Sequence, residues 1–105
     1  MRCIGALTEV LWTDSAQEDL AVIASSFARM SALAAERLPA TLIARTAALA
    51  EFPLMGRVIP EFGNPLLREL IEGGLRILYE VFPDRVEVWG VAYGRETLIK
   101  DSGTA

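Results

Sequence analysis

No histidine occurs anywhere in this chain of 105 residues, and only one cysteine does. The first absence removes Ser-His-Asp and Cys-His catalysis, together with histidine metal ligation. The second removes internal disulfides and cysteine-rich zinc sites. Cys3, close to the amino terminus, reads as an ordinary thiol in a reducing cytoplasm. Lysine is nearly absent too: nine of the ten basic residues are Arg, a residue suited to fixed, forked contacts. Against these stand 14 acidic residues, giving a net charge of −4 and a pI near 4.8. Non-specific nucleic-acid binding draws on Lys and Arg neutralising phosphates. This balance therefore argues against a general nucleic-acid binder and against direct, sequence-specific DNA binding by the chain alone.

Two further features are missing. There is no glycine-rich phosphate loop of the strand–turn–helix kind, since Gly73-Gly74 lies between strand-like runs. With the lack of metal ligands, this leads to the expectation that no metal, nucleotide or organic cofactor is needed. A signal or membrane segment is not expected either. Arg2 is followed only by Cys3 to Leu7 before Glu9 interrupts, and the longest helical apolar stretch contains Ser25, Ser26 and Arg29. The expectation is a cytoplasmic protein without a membrane partner.

What is present is apolar. Hydrophobic residues make up 52% of the chain, against a usual ~45–50% that includes glycine. A single domain of this size buries roughly 65% of the surface its unfolded chain exposes. That is more apolar surface than a small fold readily hides, so a protein partner is expected. One domain spans residues 1–105, with a core of about 8–98 and a small, polar tail over 99–105 expected to be mobile.

Thr8 to Thr13 is β-branched and aromatic and reads as a strand. Thr13, Asp14 and Ser15 then offer helix-capping oxygens, with Glu18 as a capping-box partner for Ser15. Apolar positions at Ala16, Leu20, Ile23, Phe27 and Met30 form one stripe on a helix over about 15–30, with Glu18 and Asp19 in its first turn. Ala34, Ala35, Leu38, Leu42, Ala48 and Leu49 give a second helix over about 33–51, bent near Pro39 and ended by Pro53. Residues 52–65 carry Pro53, Gly56, Pro60, Gly63, Asn64 and Pro65, and read as a connector. Three strand-like runs follow, Leu66–Leu70, Leu75–Tyr79 and Val86–Val91, joined by a Gly73-Gly74 hairpin and a tight Pro83-Asp84-Arg85 link.

This order predicts an α+β domain: an N-terminal strand and an α-helical hairpin packed on one face of a small antiparallel β-sheet. In the middle run, Ile77, Tyr79 and Val81 are assigned to the helix-covered face. Arg76 and Leu78 are left on the other, joined by part of Leu66, Leu70, Trp89 and Val91. The register of the last strand stays open. Since the helices cover only one face, the opposite face is expected to be free for a partner.

The ordered motifs Pro53-Leu54-Met55-Gly56-Arg57, Arg68-Glu69-Leu70, Leu75-Arg76-Ile77-Leu78-Tyr79 and Val91-Ala92-Tyr93-Gly94-Arg95, with the opening Trp12-Thr13-Asp14-Ser15-Ala16 and Asp19-Leu20, resemble the RelE/ParE superfamily of bacterial toxins. The superfamily pattern is P-x-x-G-R, R-E-L, Y-R-I-x-Y and V-x-H-G-R-R. Here Tyr93 replaces the usual histidine and Glu96 the second arginine of the final pair. Residues 67–72 carry one base and two acids where RNA-cleaving members carry several bases.

Phosphodiester cleavage needs groups that move a proton and cations that stabilise phosphate charge. The departures therefore point to the ParE-like branch. The resemblance implies a type II toxin that binds and poisons DNA gyrase without chemistry of its own, and that a cognate antitoxin neutralises. It implies target recognition by Arg68, Arg76, Tyr93 and Arg95, with no catalytic residue. The antitoxin is expected on Leu66, Leu70, Leu78, Trp89 and Val91. The alternatives are a ribosome-dependent mRNA endoribonuclease of the RelE type, or a degenerate, non-toxic antitoxin-binding module.

Overall fold

The computed structural model describes residues 8–94; Cys3, Arg95 and the expected tail over 99–105 lie outside them. Strand β1 (Glu9–Trp12) leads into helix α1 (Asp14–Ala28) and helix α2 (Ala32–Ala47), which ends in a 3-10 turn over Ala48–Ala50. Strands β2 (Arg57–Val58), β3 (Leu67–Glu72), β4 (Leu75–Val81) and β5 (Arg85–Tyr93) follow. They form one sheet in the order β1-β5-β4-β3-β2. All neighbours are antiparallel except β1 and β5. The first strand therefore sits at an edge, as expected.

Local chemistry starts and stops the helices. The cap of α1 is Thr13, whose hydroxyl accepts from the Ala16 N–H, rather than the Ser15–Glu18 pair the sequence suggested. Asp14 alone is the acid in the first turn. Ala16, Leu20 and Ile23 are buried, but α1 stops at Ala28 and leaves Met30 in solvent, off the expected stripe. Ser31 caps α2 through the Ala34 N–H. α2 then runs through Pro39 and buries Leu38, Leu42 and Thr46.

Gly73 and Gly74 both adopt positive φ, 56° and 84°, as a two-residue hairpin between β3 and β4 demands. The opposite end of β4 turns through Phe82, whose N–H donates to the Arg85 carbonyl at 2.8 Å. The Arg85 guanidinium lies 4.1 Å above the Phe82 ring.

The main core lies between helices and sheet. Ala16, Leu20, Ile23, Leu38, Leu42 and Leu49 meet Leu70, Leu75, Ile77, Tyr79, Val86, Val88 and Val91, with Val81 half-buried beside them. The assignment of Ile77, Tyr79 and Val81 to the helix side agrees with this packing. Leu70 and Val91 do not lie on the opposite face, as the sequence reading had them. Leu70 pairs with Ile77 and Ile77 with Val91, so all three share the covered side.

The opposite face is not open either. The connector folds back over it, and Ile59 and Phe62 pack with Leu67, Leu78, Ala92 and Trp89 as a second core. Part of that connector is itself a strand, the two residues of β2 that pair with Glu69 and Arg68.

The register of β5 contains a shift that alternation alone could not reveal. Leu78 pairs with Gly90 and Tyr79 with Val88, which leaves Trp89 as the extra residue of a β-bulge. Asp19 of α1 reaches across to this irregularity, and its Oδ2 accepts from the Val91 N–H at 3.0 Å. A Cβ on Gly90 would stand 3.3 Å from that same oxygen, so a small residue lets the carboxylate approach. Removing the acceptor orphans a backbone donor, which typically costs about 1–3 kcal/mol. Asp19→Ala is expected to lower stability by that amount, measured as a lower urea midpoint with an unchanged denaturant slope.

Candidate functional site

The side of the sheet away from the helices carries a chain of alternating charges. Glu69 of β3 is 1% exposed and stands between two arginines. Its Oε2 accepts from Arg57 Nε across the β2–β3 pair, and its Oε1 from Arg76 Nε at 2.6 Å. Arg76 of β4, 4% exposed, continues to the connector. Its Nη1 and Nη2 donate to the two oxygens of Glu61, both at 2.8 Å. The row Arg57–Glu69–Arg76–Glu61 thus pairs two cations with two anions. The Glu61 hydrogen bonds, opposed by desolvation and aided by Glu69, hold the Arg76 guanidinium protonated well beyond its ordinary range. In this setting Arg76 anchors the connector to the sheet.

Arg68, one residue before Glu69, points to the other side. Its Nε donates to the Pro65 carbonyl at 2.7 Å, and its Nη1 to the carbonyls of Gly56 at 2.8 Å and Leu54 at 3.2 Å. It joins the two ends of the connector through backbone oxygens rather than through the neighbouring acids. Beside it, the Gly56 N–H donates to the buried Tyr79 hydroxyl at 2.9 Å. A Cβ on Gly56 would lie 2.5 Å from the Glu69 carbonyl and 2.6 Å from that hydroxyl, so only glycine fits. The glycine of the Pro53–Arg57 motif is therefore required by close backbone approach. Burial raises the Tyr79 hydroxyl above its ordinary pKa, against a smaller lowering by the Gly56 hydrogen bond.

Tyr93 ends β5, exposed to solvent. With Asp19, Val22, Ile23 and Val91 it lines an open cavity of about 290 Å³ between α1 and the last strand. Arg95 lies two residues on, outside the described residues. The four residues expected to recognise a target are thus not one cluster. Arg68 and Arg76 serve opposite sides of the sheet and are engaged internally, while Tyr93 stands at the end of β5.

The five residues expected to receive an antitoxin divide similarly. Leu70, Leu78 and Val91 are buried within the chain, Trp89 is half-buried against Phe62, and Leu66 is exposed. Sequence reasoning missed Glu61 and Asp19 as partners. Asp19 stands in the family's opening motif, but nothing local names its partner, and nothing local marks Glu61 at all; each gains its role from a strand distant in sequence. The glycine and Arg57 did carry a signal in sequence, as the close of the Pro53–Arg57 motif. Among the described residues no group of three His, Cys, Asp or Glu could hold a metal ion. No helix there is long and apolar enough to cross a membrane.

Comparison with known proteins agrees with this architecture. The family described as ParE toxin of type II toxin-antitoxin system, parDE, matches residues 10–98. A solved structure titled as the chromosomal ParDE toxin–antitoxin system from P. aeruginosa superimposes with a TM-score of 0.70 at 16% identity. It covers 85% of this chain and 98% of that one. The toxin–antitoxin complex RelBE2 from Mycobacterium tuberculosis gives a TM-score of 0.51 at 19% identity, covering 83% and 98%. At these identities the structural likeness establishes the fold. A search of curated proteins gave no match.

Two outcomes follow from the buried charges and the tyrosine. Arg76→Ala leaves Glu69 buried without one of its cations, and breaking such a pair costs about 3–5 kcal/mol. A large drop in melting temperature is expected, with part of it restored by pairing the change with Glu69→Gln. Tyr79 keeps its proton in the folded state above the pH near 10 where the unfolded chain loses it. Its contribution is complete below that pH and is lost as pH rises towards the folded-state pKa. Unfolding titrations above pH 10 should therefore show stability falling with pH, and a shallower fall in Tyr79→Phe.

Proposed function

The chain belongs to the ParE toxin family of type II toxin–antitoxin systems, and we propose that it acts by binding DNA gyrase, without chemistry of its own, until a cognate antitoxin neutralises it. The observation that carries the binding reading is the internal commitment of Arg76. Its Nη atoms are occupied by Glu61 and its Nε by Glu69. An RNA-cleaving site would need cations turned towards the scissile phosphate, with a group to move a proton. Here the opposite sheet face instead brings two carboxylates against its arginine, and Arg68 spends its donors on three carbonyls. The absence of histidine and the net charge of −4 support the same reading.

Within this reading, Tyr93, which ends β5, and Arg95, two residues further along the sequence, make direct contact with the target. Arg68 and Arg76 act behind them by holding the connector and sheet in shape. Arg76 is for that reason a poor probe of recognition, since its removal disturbs the core. Tyr93→Ala and Arg95→Ala test the direct contact.

The expected outcome is inhibition of gyrase supercoiling with accumulation of cleavage complexes, and intact mRNA in a parallel ribosome-dependent cleavage assay. Either variant should weaken the gyrase effect at least tenfold while retaining the circular dichroism spectrum. Cleaved mRNA with untouched gyrase would replace this reading with the RelE-type one. Harmless expression, with the product of the adjacent reading frame still bound, would mark a degenerate module.

A further inference from the structure

Strand β5 outruns the strand beside it. β1 accompanies it only from Arg85 to Val88, and the Thr13 N–H closes that pairing on the Val88 carbonyl at 3.0 Å. Beyond the bulge at Trp89, β5 still pairs with β4, Gly90 with Leu78 and Tyr93 with Leu75. On the β1 side, among the described residues, no strand continues. A buried N–H there needs an acceptor from elsewhere. For Val91 it is Asp19 Oδ2, at 3.0 Å, so one carboxylate from α1 stands where the next strand would be. The bond falls directly after the bulge, where the ladder is locally disrupted. Gly90 leaves room for it, since a Cβ there would stand 3.3 Å from Oδ2 and 3.3 Å from Leu78 Cδ1.

Tyr93 comes two residues after Val91 and so shares its face of the sheet. Val91 is buried under the helices, while Tyr93 is 42% exposed and lines the groove formed with Asp19, Val22 and Ile23 of α1. The helix that walls the groove opposite Tyr93 therefore also holds the strand that bears it. Resting on the gyrase reading above, we infer that Asp19 is a positioning residue for target recognition. Its hydrogen bond to Val91 fixes the end of β5 against α1, and thereby fixes where Tyr93 meets the target. Asp19 acts through Tyr93 rather than by touching the target. A ring held in place beforehand need not be ordered during binding. What the role requires is an acceptor oxygen, not a negative charge. Asp19 bonds an uncharged amide, and among the described residues no ion pair involves it.

The test compares the full chain with Asp19→Ala, Asp19→Asn, Tyr93→Ala and Asp19→Ala/Tyr93→Ala, at a temperature where circular dichroism shows each folded. Gly90→Ala crowds the same oxygen from the strand side and is read alongside Asp19→Ala. Two quantities are measured: amide hydrogen exchange at Val91 to Tyr93 in the free chain, and the concentration that half-inhibits gyrase supercoiling. Faster exchange and at least a fivefold higher inhibitory concentration are expected for Asp19→Ala, with Asp19→Asn, which keeps an acceptor oxygen, within about twofold of wild type. In the Tyr93→Ala background, Asp19→Ala should add less than about twofold, because both changes act on one contact. A merely structural role would leave folded variants with loosened amides as inhibitory as wild type, and that result would overturn the inference. So would unchanged exchange in both Asp19→Ala and Gly90→Ala, or full additivity with Tyr93→Ala. Asp19→Asn as weak as Asp19→Ala would overturn it too, by giving the target a direct contact with the charge. In each of these cases wild type still inhibits gyrase, and the gyrase reading stands. Wild type without effect on gyrase would remove that reading, and this role with it.

Discussion

The burial of Glu69 is the constraint on which the far side of this molecule depends. A carboxylate taken out of water is costly unless cations and hydrogen bonds replace the solvent. Here the replacements come from two other elements, Arg57 on β2 and Arg76 on β4. Arg76 in turn draws in Glu61 from the connector. One buried acid in β3 therefore decides where β2 pairs and where the connector lies. It also helps close the second face of the sheet. This row of charges adds to the apolar packing of Ile59 and Phe62 over Leu67 and Leu78 and to the Ile59 N–H bond to the Leu67 carbonyl.

The helical side follows different rules. There the stripe of Ala16, Leu20 and Ile23 and the buried Leu38, Leu42 and Leu49 meet alternating residues of β4 and β5. Polar groups appear at the margins, each with a partner. Trp12 Nε1 donates to the Thr46 hydroxyl at 3.2 Å, and Asp19 secures the strand beside the bulge. Gly56 and Tyr79 bridge the connector and this core. The protein is thus three layers thick where the sequence suggested two, with an apolar core on the helix side and a smaller apolar core reinforced by ion pairs on the other.

This division shapes what the surface can do. Most of the arginines that looked available for recognition are spent on architecture, which is the ordinary fate of a forked donor near buried carbonyls and carboxylates. Among the described residues, the surface still carries an exposed tyrosine at the end of β5 and exposed apolar side chains on the helices and the connector.

The sequence by itself determined both helices, four of the five strands and their order, because those signals are local; the two-residue β2 lay in a stretch that reads as a connector. Hydroxyls at Thr13 and Ser31 cap the helices, Gly73-Gly74 makes the hairpin, and alternation places Ile77 and Tyr79 towards the helices. The family was legible for the same reason, since its motifs are short runs of neighbouring residues. Tertiary structure decided what depends on partners far apart in the chain. The bulge at Trp89 shifted the β5 register, and pairing with Ile77 put Leu70 and Val91 under the helices. A carboxylate at position 61 took up Arg76, and carbonyls at 54, 56 and 65 took up Arg68. A charged side chain spells its capacity for hydrogen bonds in the sequence. Which group uses that capacity is settled only when the sheet closes and water is excluded.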